Sequence, residues 1–323
     1  MFPHRQAVVA LPCIFPSTAG ISMSQAKIAE LSDRAVLRLS GADTRKLLQR
    51  LITVDFDDVS PERAGYGALL SPQGKIMFDF FVAETGNGYL FDCAASKKDE
   101  LVKRLIFYRL RAKMEIEDLS ERFKVLAIWG GGDEGLGADA GAARAFDGGV
   151  LYRDPRVAEM GVRAMVPRDL VISGESVPEA DYHAHRIAVG VADSDCDLAS
   201  GDLFPHEANF DQFHGVDFAK GCYVGQEVVS RMEHRGTGAR KRIVPILARG
   251  GSLTPGETLM AGDKAIGEVL SAGGVQALAL VRLDRAESAL GADEVLKTSN
   301  GVEVVLQQPS WARYLVPVRS ELA

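Results

Sequence analysis

The segment Lys220-Gly-Cys-Tyr-Val-Gly-Gln-Glu227 decides how this 323-residue chain is interpreted. It places Cys222 between a glycine and a tyrosine, and it ends on two side chains that accept hydrogen bonds. Lys220 and the basic residues that follow would favour the thiolate of Cys222 if they lie close to it in space. An accessible thiolate is a nucleophile, a metal ligand or a redox sensor. A buried structural cysteine in a tight turn is the alternative, and residue chemistry alone does not decide between the two.

The amino-acid composition excludes several classes of protein. The net charge of −7 disfavours a globally basic nucleic-acid binder. Cys13, Cys93, Cys196 and Cys222 are scattered without a Cys-x-x-Cys pair, which disfavours a disulfide framework or a self-contained metal site. Such cysteine usage is typical of a reducing compartment. No apolar run approaches the roughly 20 residues that span a bilayer. We therefore expect a cytoplasmic protein with no membrane partner.

The first residues carry little folding information. Residues 1–23 hold one short apolar stretch, which Pro12 interrupts, and an ordered pattern begins just after Met23. We expect residues 1–23 to be a disordered or mis-started extension. A secretory signal is the alternative interpretation of this stretch.

Hydrophobic periodicity divides the remaining chain into three units. Residues 24–118 mix strands with helices, including a hairpin at 65–82. Residues 119–242 repeat this mixture and contain a loop-rich stretch at 191–227, and long loops inside compact domains are often functional. Residues 243–323 alternate short strands with Gly and Pro turns, which is typical of a small β-barrel. The pattern predicts an α+β fold with a C-terminal β-barrel.

Two weaker motifs have simpler explanations. Gly130, Gly132 and Gly135 match the G-x-G-x-x-G pattern of dinucleotide sites, but no parallel βαβ pattern surrounds them, which favours a surface loop. Histidines and acidic residues also cluster, at His183, His185, His206, Glu207, Asp211, His214 and Asp217. Their spacing matches no standard metal site, and we expect none.

A basic run follows the Cys222 segment, at Arg231, His234, Arg235, Arg240, Lys241 and Arg242. It is either a solvated turn or the mouth of an anion-binding site. The anion would be a polyglutamyl folate tail or a nucleic-acid phosphate, and the sequence does not separate the two.

The Cys222 segment, followed by Arg231, Arg235-Gly236 and Lys241-Arg242, closely resembles the signature of YgfZ proteins and their mitochondrial counterparts. Leu39–Asp43 and Leu51–Asp55 resemble the fold that this family shares with the aminomethyltransferases. Further similar segments are Tyr66–Lys75, Tyr108–Lys113, Arg186–Gly190, Phe204–Asn209 and Ile266–Ser271. The resemblance covers about residues 24–318.

The resemblance implies an aminomethyltransferase-like cloverleaf of two α+β subdomains and a C-terminal β-barrel, with tetrahydrofolate in a central cavity. It also implies a role in assembling or repairing iron–sulfur clusters of client enzymes, including enzymes that modify tRNA. On this basis Cys222 is the expected functional thiol, accompanied by Lys220, Gln226 and Glu227. The residues expected to contact the folate are Asp79, Arg186, Tyr223, Arg231 and Arg235.

Two departures from the aminomethyltransferases put the parent reaction in doubt. The stretch 74–79 carries Phe78 beside a single Asp79, where those enzymes carry adjacent acids. The stretch Arg186-Ile-Ala188 lacks the Glu that they place after Arg-Ile. Two alternatives to an accessory role remain at this point: a folate-dependent one-carbon transferase (an aminomethyltransferase or demethylase), and a tRNA-binding module. Whether the chain is an enzyme stays open.

Overall fold

The computed structural model describes residues 26–131, 135–234 and 239–318. The expected extension 1–23 lies outside the described residues, as do Gly132 and Arg235. In the described ranges, no helix is both long and apolar enough to cross a membrane.

The strands are β1 (Lys27–Glu30), β2 (Arg34–Ser40), β3 (Gly65–Leu70), β4 (Ile76–Thr85), β5 (Gly88–Ala94), β6 (Glu115–Asp118), β7 (Phe123–Trp129), β8 (Ala143–Phe146), β9 (Gly149–Arg153), β10 (Val162–Pro167), β11 (Glu175–Ser176), β12 (Lys241–Ala248), β13 (Thr258–Ala261), β14 (Lys264–Gly273), β15 (Gln276–Arg282), β16 (Leu296–Thr298) and β17 (Val304–Leu306). The α-helices are α1 (Thr44–Leu51), α2 (Lys98–Arg109), α3 (Glu179–Val189), α4 (Gln226–His234) and α5 (Leu283–Gly291).

The first sheet has the strand order β3-β4-β5-β2-β6. Alternation along β2 gives it two apolar faces: Leu37 and Leu39 join a core with α1 and α2, whereas Val36 joins the core shared with the second sheet. Helices therefore cover one face of this sheet, and the rest of the molecule covers the other.

The second sheet has the order β11-β1-β7-β10-β9-β8. Strand β1 pairs antiparallel with β7, so residues 27–30 belong to the second sheet although the sequence division assigned them to the first unit. Strand pairing between distant residues cannot be read from a four-residue pattern. Between α3 and α4 the chain forms turns and loops, as the weak periodicity of 191–227 predicted.

The third unit is a six-stranded sheet of order β16-β13-β14-β15-β12-β17. An isolated bridge between Lys297 and Glu303 brings its two edges together, so the sheet is nearly a closed barrel. It begins at Lys241, two residues before the expected start. The α+β class and the C-terminal barrel expected from the sequence are confirmed.

A buried carboxylate joins the first two sheets. Asp92 on β5 is fully buried and receives Arg34 Nε from β2 at 2.6 Å and Arg163 NH2 from β10 at 2.6 Å. Burial would raise the pKa of Asp92, but the guanidinium groups of Arg163 and Arg34 lower it below its ordinary value. The ring of Phe81 packs beneath Arg163, with its centroid 4.2 Å from the guanidinium carbon. This cluster sets how the two sheets face each other.

We predict that Asp92→Asn lowers the free energy of unfolding by about 3–5 kcal/mol, because it removes one partner of a buried ion cluster. Urea unfolding measures the change. The control is Glu117→Gln, which weakens the exposed pairs with Arg38 (3.1 Å) and Arg122 and should cost less than about 1 kcal/mol. Equal losses in the two variants would contradict the proposed lock between the sheets.

Candidate functional site

The loop that carries Cys222 is held at its start by Lys220. Asp217 Oδ1 accepts the backbone N–H groups of Ala219 (2.7 Å) and Lys220 (2.9 Å), which closes a tight turn. The buried Lys220 side chain then donates to the carbonyls of Ile52 (2.8 Å) and Val54, just past the end of α1. Burial lowers the pKa of Lys220 to about 8. Through these two hydrogen bonds, the Lys220 ammonium anchors the loop at the C-terminal end of α1.

The loop is held at its other end by two glycines in contact. Gly225 has φ +82°, and a Cβ there would lie 2.5 Å from the carbonyl oxygen of Ser71 and 3.0 Å from the Cα of Gly74. Gly74 also has φ +82° and lies against Val228 of α4. The turn Ser71–Gly74 lies inside the hairpin that the sequence predicted at 65–82, and it supports the end of the Cys222 loop.

Tyr223 fixes the middle of the loop. Its side chain is buried, and its ring centroid lies 5.6 Å from the ammonium of Lys220. Burial raises the pKa of Tyr223 to about 12, and its hydroxyl has no hydrogen-bond partner among the described residues. The aromatic ring thus packs the loop against the core that the first two sheets share.

These anchors leave Gly221 and Cys222 exposed at the surface. A Cβ at Gly221 would meet no atom within 4 Å, so the described part of the chain does not itself require glycine there. The Cys222 thiol opens onto a depression of about 480 Å³. Its lining consists of Gln49, Arg50, Gly221, Cys222, Tyr223 and Val224. The geometry supports an accessible thiol and not a buried structural cysteine.

The remaining residues of the segment begin α4. Gln226 is the first helical residue, and the exposed Glu227 pairs with Arg231 one turn later. Glu233 Oε2 contacts His206 Nε2 at 2.9 Å and attaches the helix to the preceding loop region. Glu227 and Arg231 therefore neutralise each other on an exposed helix face beyond the thiol.

The residues expected to contact tetrahydrofolate are not brought together. Asp79 is buried on β4, where its Oδ2 accepts the hydroxyls of Tyr66 (3.1 Å) and Ser194 (2.9 Å). Arg186 is buried on α3, where it pairs with Asp197 at 2.7 Å. Tyr223 belongs to the loop anchor and Arg231 to the surface of α4, while Arg235 is not among the described residues. None of the four described residues of this set lines the cavity between the subdomains.

A cavity of about 650 Å³ lies between the two α+β subdomains and borders the start of the Cys222 loop. The cavity is lined by Val54, Asp55, Asp58, Val59, Arg63, Ala64, Gly65, Tyr66, Asp139, Ala140, Pro155, His214, Val216, Asp217, Phe218 and Ala219. Its volume is in the usual range for a small-molecule site. Of its charged groups, sequence reasoning named only His214 and Asp217; Arg63 lies in a loop with no periodic signal.

The histidines singled out in the sequence serve several different contacts. His185 stacks on Trp129, with ring centroids 5.4 Å apart, and His206 bonds Glu233. His183 has Nε2 within 3.8 Å of Asp33, and Glu179 completes a group whose ligand atoms all lie within 4.8 Å. However, Arg186 Nε donates to His183 Nδ1 at 3.0 Å, so the proton of the neutral ring is on Nε2. A ring nitrogen that carries a proton has no lone pair to bind a metal ion, which disfavours His183 as a ligand.

The basic run does not form one continuous face. Arg242 points inward, is buried and pairs with Asp211 at 2.8 Å. Arg231 is paired within α4. An anion-binding mouth, one of the two interpretations of this run, thus loses these two charges to contacts within the chain.

Comparisons with known families match both ends of the chain. Residues 21–134 match the model described as GCVT N-terminal domain, and residues 240–314 match that of the CAF17 C-terminal beta-barrel domain. The structure is similar to glycine cleavage system aminomethyltransferase T from Bartonella henselae, with a TM-score of 0.71 over 90% of this chain and 87% of that chain. At 16% identity this likeness shows the fold. The aminomethyltransferase-like fold is thus confirmed.

Two mammalian relatives align over most of the chain. Mitochondrial iron–sulfur cluster assembly factor IBA57 of Homo sapiens is 33% identical over 305 residues, which cover 87% of this chain and 84% of that protein. The Mus musculus protein of the same name is 31% identical over 306 residues, with the same coverage. The motif pointed close to this group, although these two relatives carry the IBA57 name and not the YgfZ name. The chain belongs to the IBA57 family.

Proposed function

We propose that this protein is an accessory factor for the assembly or repair of iron–sulfur clusters and that Cys222 is its functional thiol. The observation that carries the proposal is the exposed Cys222, projected from a loop that is anchored at Lys220, Tyr223 and Gly225. The names of the mammalian relatives give the class of process.

A single thiolate is too few ligands for a cluster, because iron–sulfur clusters usually take four protein ligands. Cys222 would therefore act together with thiolates of a partner. In a ligand exchange, the Cys222 thiolate binds iron while a partner thiolate leaves and takes up the proton that Cys222 released.

We further propose that the clients include tRNA-modifying enzymes, which rests on the family resemblance. We also propose that the protein works in the cytoplasm, which rests on its cysteine usage.

We also propose that tetrahydrofolate binds in the 650 Å³ cavity between the subdomains. The donor edge of a pterin ring is complementary to the cavity carboxylates, among them Asp55 and Asp139, and Arg63 can meet one carboxylate of the glutamate tail. The excess of carboxylates over Arg63 disfavours a long polyglutamate tail. No chemical step is assigned to this ligand.

Two rival functions have weaker support. A transferase that works as the aminomethyltransferases do would need a free acid at the position of Asp79, whereas that carboxylate is bound by Tyr66 and Ser194 and does not line the cavity. A tRNA-binding module would need the basic run at the surface, whereas Arg242 is buried with Asp211. Formation of methylene-tetrahydrofolate from a defined donor would favour the first rival. Direct tRNA binding that weakens steeply with salt would favour the second.

In a strain that lacks this protein, we predict that Cys222→Ala restores less than about one tenth of iron–sulfur enzyme activity, measured as aconitase activity per unit of aconitase protein. The reason is that removal of one required ligand blocks cluster exchange. The control is Cys196→Ala, which removes the other exposed thiol among the described cysteines and should restore normal activity. Full restoration by Cys222→Ala would refute the thiol role.

We predict that Gly225→Ala lowers the free energy of unfolding by more than about 1 kcal/mol, because alanine disfavours the positive φ and would clash with Ser71. It should also change the rate at which iodoacetamide alkylates Cys222, read by mass spectrometry of the peptide. Gly221→Ala is the control, since its Cβ would meet no neighbour, and its stability should match the parent within about 0.5 kcal/mol. If both variants behave alike, the glycine contact does not hold the loop.

For the folate, we predict that calorimetric titration detects tetrahydrofolate binding and that Arg63→Gln weakens it at least fivefold. The monoglutamate form should bind at least as tightly as the pentaglutamate form, because the cavity is acidic. The matched control is Arg122→Gln, an exposed arginine outside the cavity. Absence of binding by tetrahydrofolate, its 5-formyl form and its methylene form would remove the folate from this account.

A further inference from the structure

The C-terminal end of α2 exposes large apolar side chains. Ile106 is 46% exposed, Phe107 is 69% exposed and Leu110 is 85% exposed. They lie within five residues, whereas the neighbouring Tyr108 packs against the core of the first subdomain. Clustered exposed apolar groups of this size mark an interaction site more often than scattered ones do.

Leu110 is held in a backbone conformation that favours glycine. It follows the last residue of α2 with φ +48° and ψ −106°, at a position where helices commonly end on glycine. Arg109 NH1 donates to the carbonyl of Met114 at 3.2 Å and closes the turn around it. The chain thus accepts backbone strain at a residue whose side chain gains no burial, which points to a contact outside the chain.

Unpaired cations surround these apolar groups. Among the described residues, no ion pair involves the exposed side chains of Lys103, Arg104, Arg111 and Lys113. The outer face of α1 carries two more exposed cations without an ion pair in the described ranges, Lys46 and Arg50, which are one turn apart. In a chain of net charge −7, this concentration of positive charge is local.

Helix α1 connects this patch to Cys222. At its start, Asp43 exchanges hydrogen bonds with Lys113: Lys113 N donates to Asp43 Oδ2 at 2.8 Å, and Asp43 N donates to the Lys113 carbonyl at 3.2 Å. At its end, Ile52 O receives the Lys220 ammonium, and Arg50 lines the depression at Cys222. Eight helical residues span about 12 Å. The patch and the thiol are thus close enough for one partner to cover both.

We propose that this surface, called the docking strip and formed by Phe107, Leu110, the flanking cations and the outer face of α1, binds an acidic protein that carries the iron–sulfur cluster. The proposal rests on the proposed function of Cys222. Carboxylates of the partner would meet the cations, and an apolar pocket of the partner would receive Phe107 and Leu110. A lipid surface or a nucleic acid could use the same cations, but neither would bring thiolate ligands to Cys222.

The sharpest variant is Leu110→Gly, because it relieves the backbone strain while removing the apolar contact. It should raise the melting temperature and yet restore less than one fifth of aconitase activity in the deletion strain. The control is Val171→Ala at another apolar residue, 87% exposed, which should restore normal activity. A Leu110→Gly protein that is more stable and fully active would overturn the proposal.

Charge reversal tests the electrostatic part. The double variant Lys103→Glu with Arg104→Glu should lower restored activity at least fivefold. The control double variant, Lys264→Glu with Lys297→Glu, makes the same change in net charge on exposed residues of the barrel and should have no effect. Equal effects of the two double variants would show that only net charge matters and would contradict a local docking strip.

The class of partner is tested by placing the photocrosslinker p-benzoylphenylalanine at position 107, or at position 171 as a control, in living cells. We expect position 107 alone to give an adduct with an acidic protein that holds cluster-ligating cysteines, and Lys103→Glu with Arg104→Glu to abolish it. Adducts only with lipid or RNA, or no adduct, would overturn the proposal. If Cys222→Ala restores normal aconitase activity, the proposed function is refuted. If Cys222→Ala fails to restore activity but the docking-strip variants restore it fully, only the docking strip is refuted.

Discussion

The ion cluster at Asp92 is the constraint on which the rest of the structure depends. A buried carboxylate needs paired cations, and here one comes from each sheet: Arg34 from the first and Arg163 from the second. The cluster therefore fixes the two subdomains face to face within the apolar core that they share. The 650 Å³ cavity lies between the same subdomains and borders the turn at Asp217 that starts the Cys222 loop.

The Cys222 loop uses contacts from two segments of the first subdomain. Lys220 satisfies carbonyls beyond the end of α1, and Gly225 packs on the Ser71–Gly74 turn. A thiol that must meet a partner has to be exposed, but an exposed loop that moves freely would present it poorly. Anchoring the residues on either side of Gly221 and Cys222 meets both requirements, because the backbone is held while the thiol stays at the surface.

Local patterns in the sequence predicted much of the fold. The hairpin at 65–82 and the short strands of the C-terminal barrel follow from periodicity and turn residues. Strand β1 was assigned to the wrong sheet because its pairing with β7 is set by residues about a hundred positions away. The exposure of Cys222 was undecidable for the same reason: it depends on contacts of Lys220 and Gly225 with residues 52–54 and 71–74. Equally, no pattern revealed that Arg186 would be paired with Asp197.

As proposed, the Cys222 thiolate binds iron when a cluster-carrying partner is present. The most direct measurement replaces Cys222 by selenocysteine, isolates the protein with its bound partner under anaerobic conditions, and records X-ray absorption at the selenium edge. We expect an iron atom directly bonded to selenium. A spectrum with only carbon as the bonded neighbour of selenium, in a complex that contains an intact cluster, would contradict it.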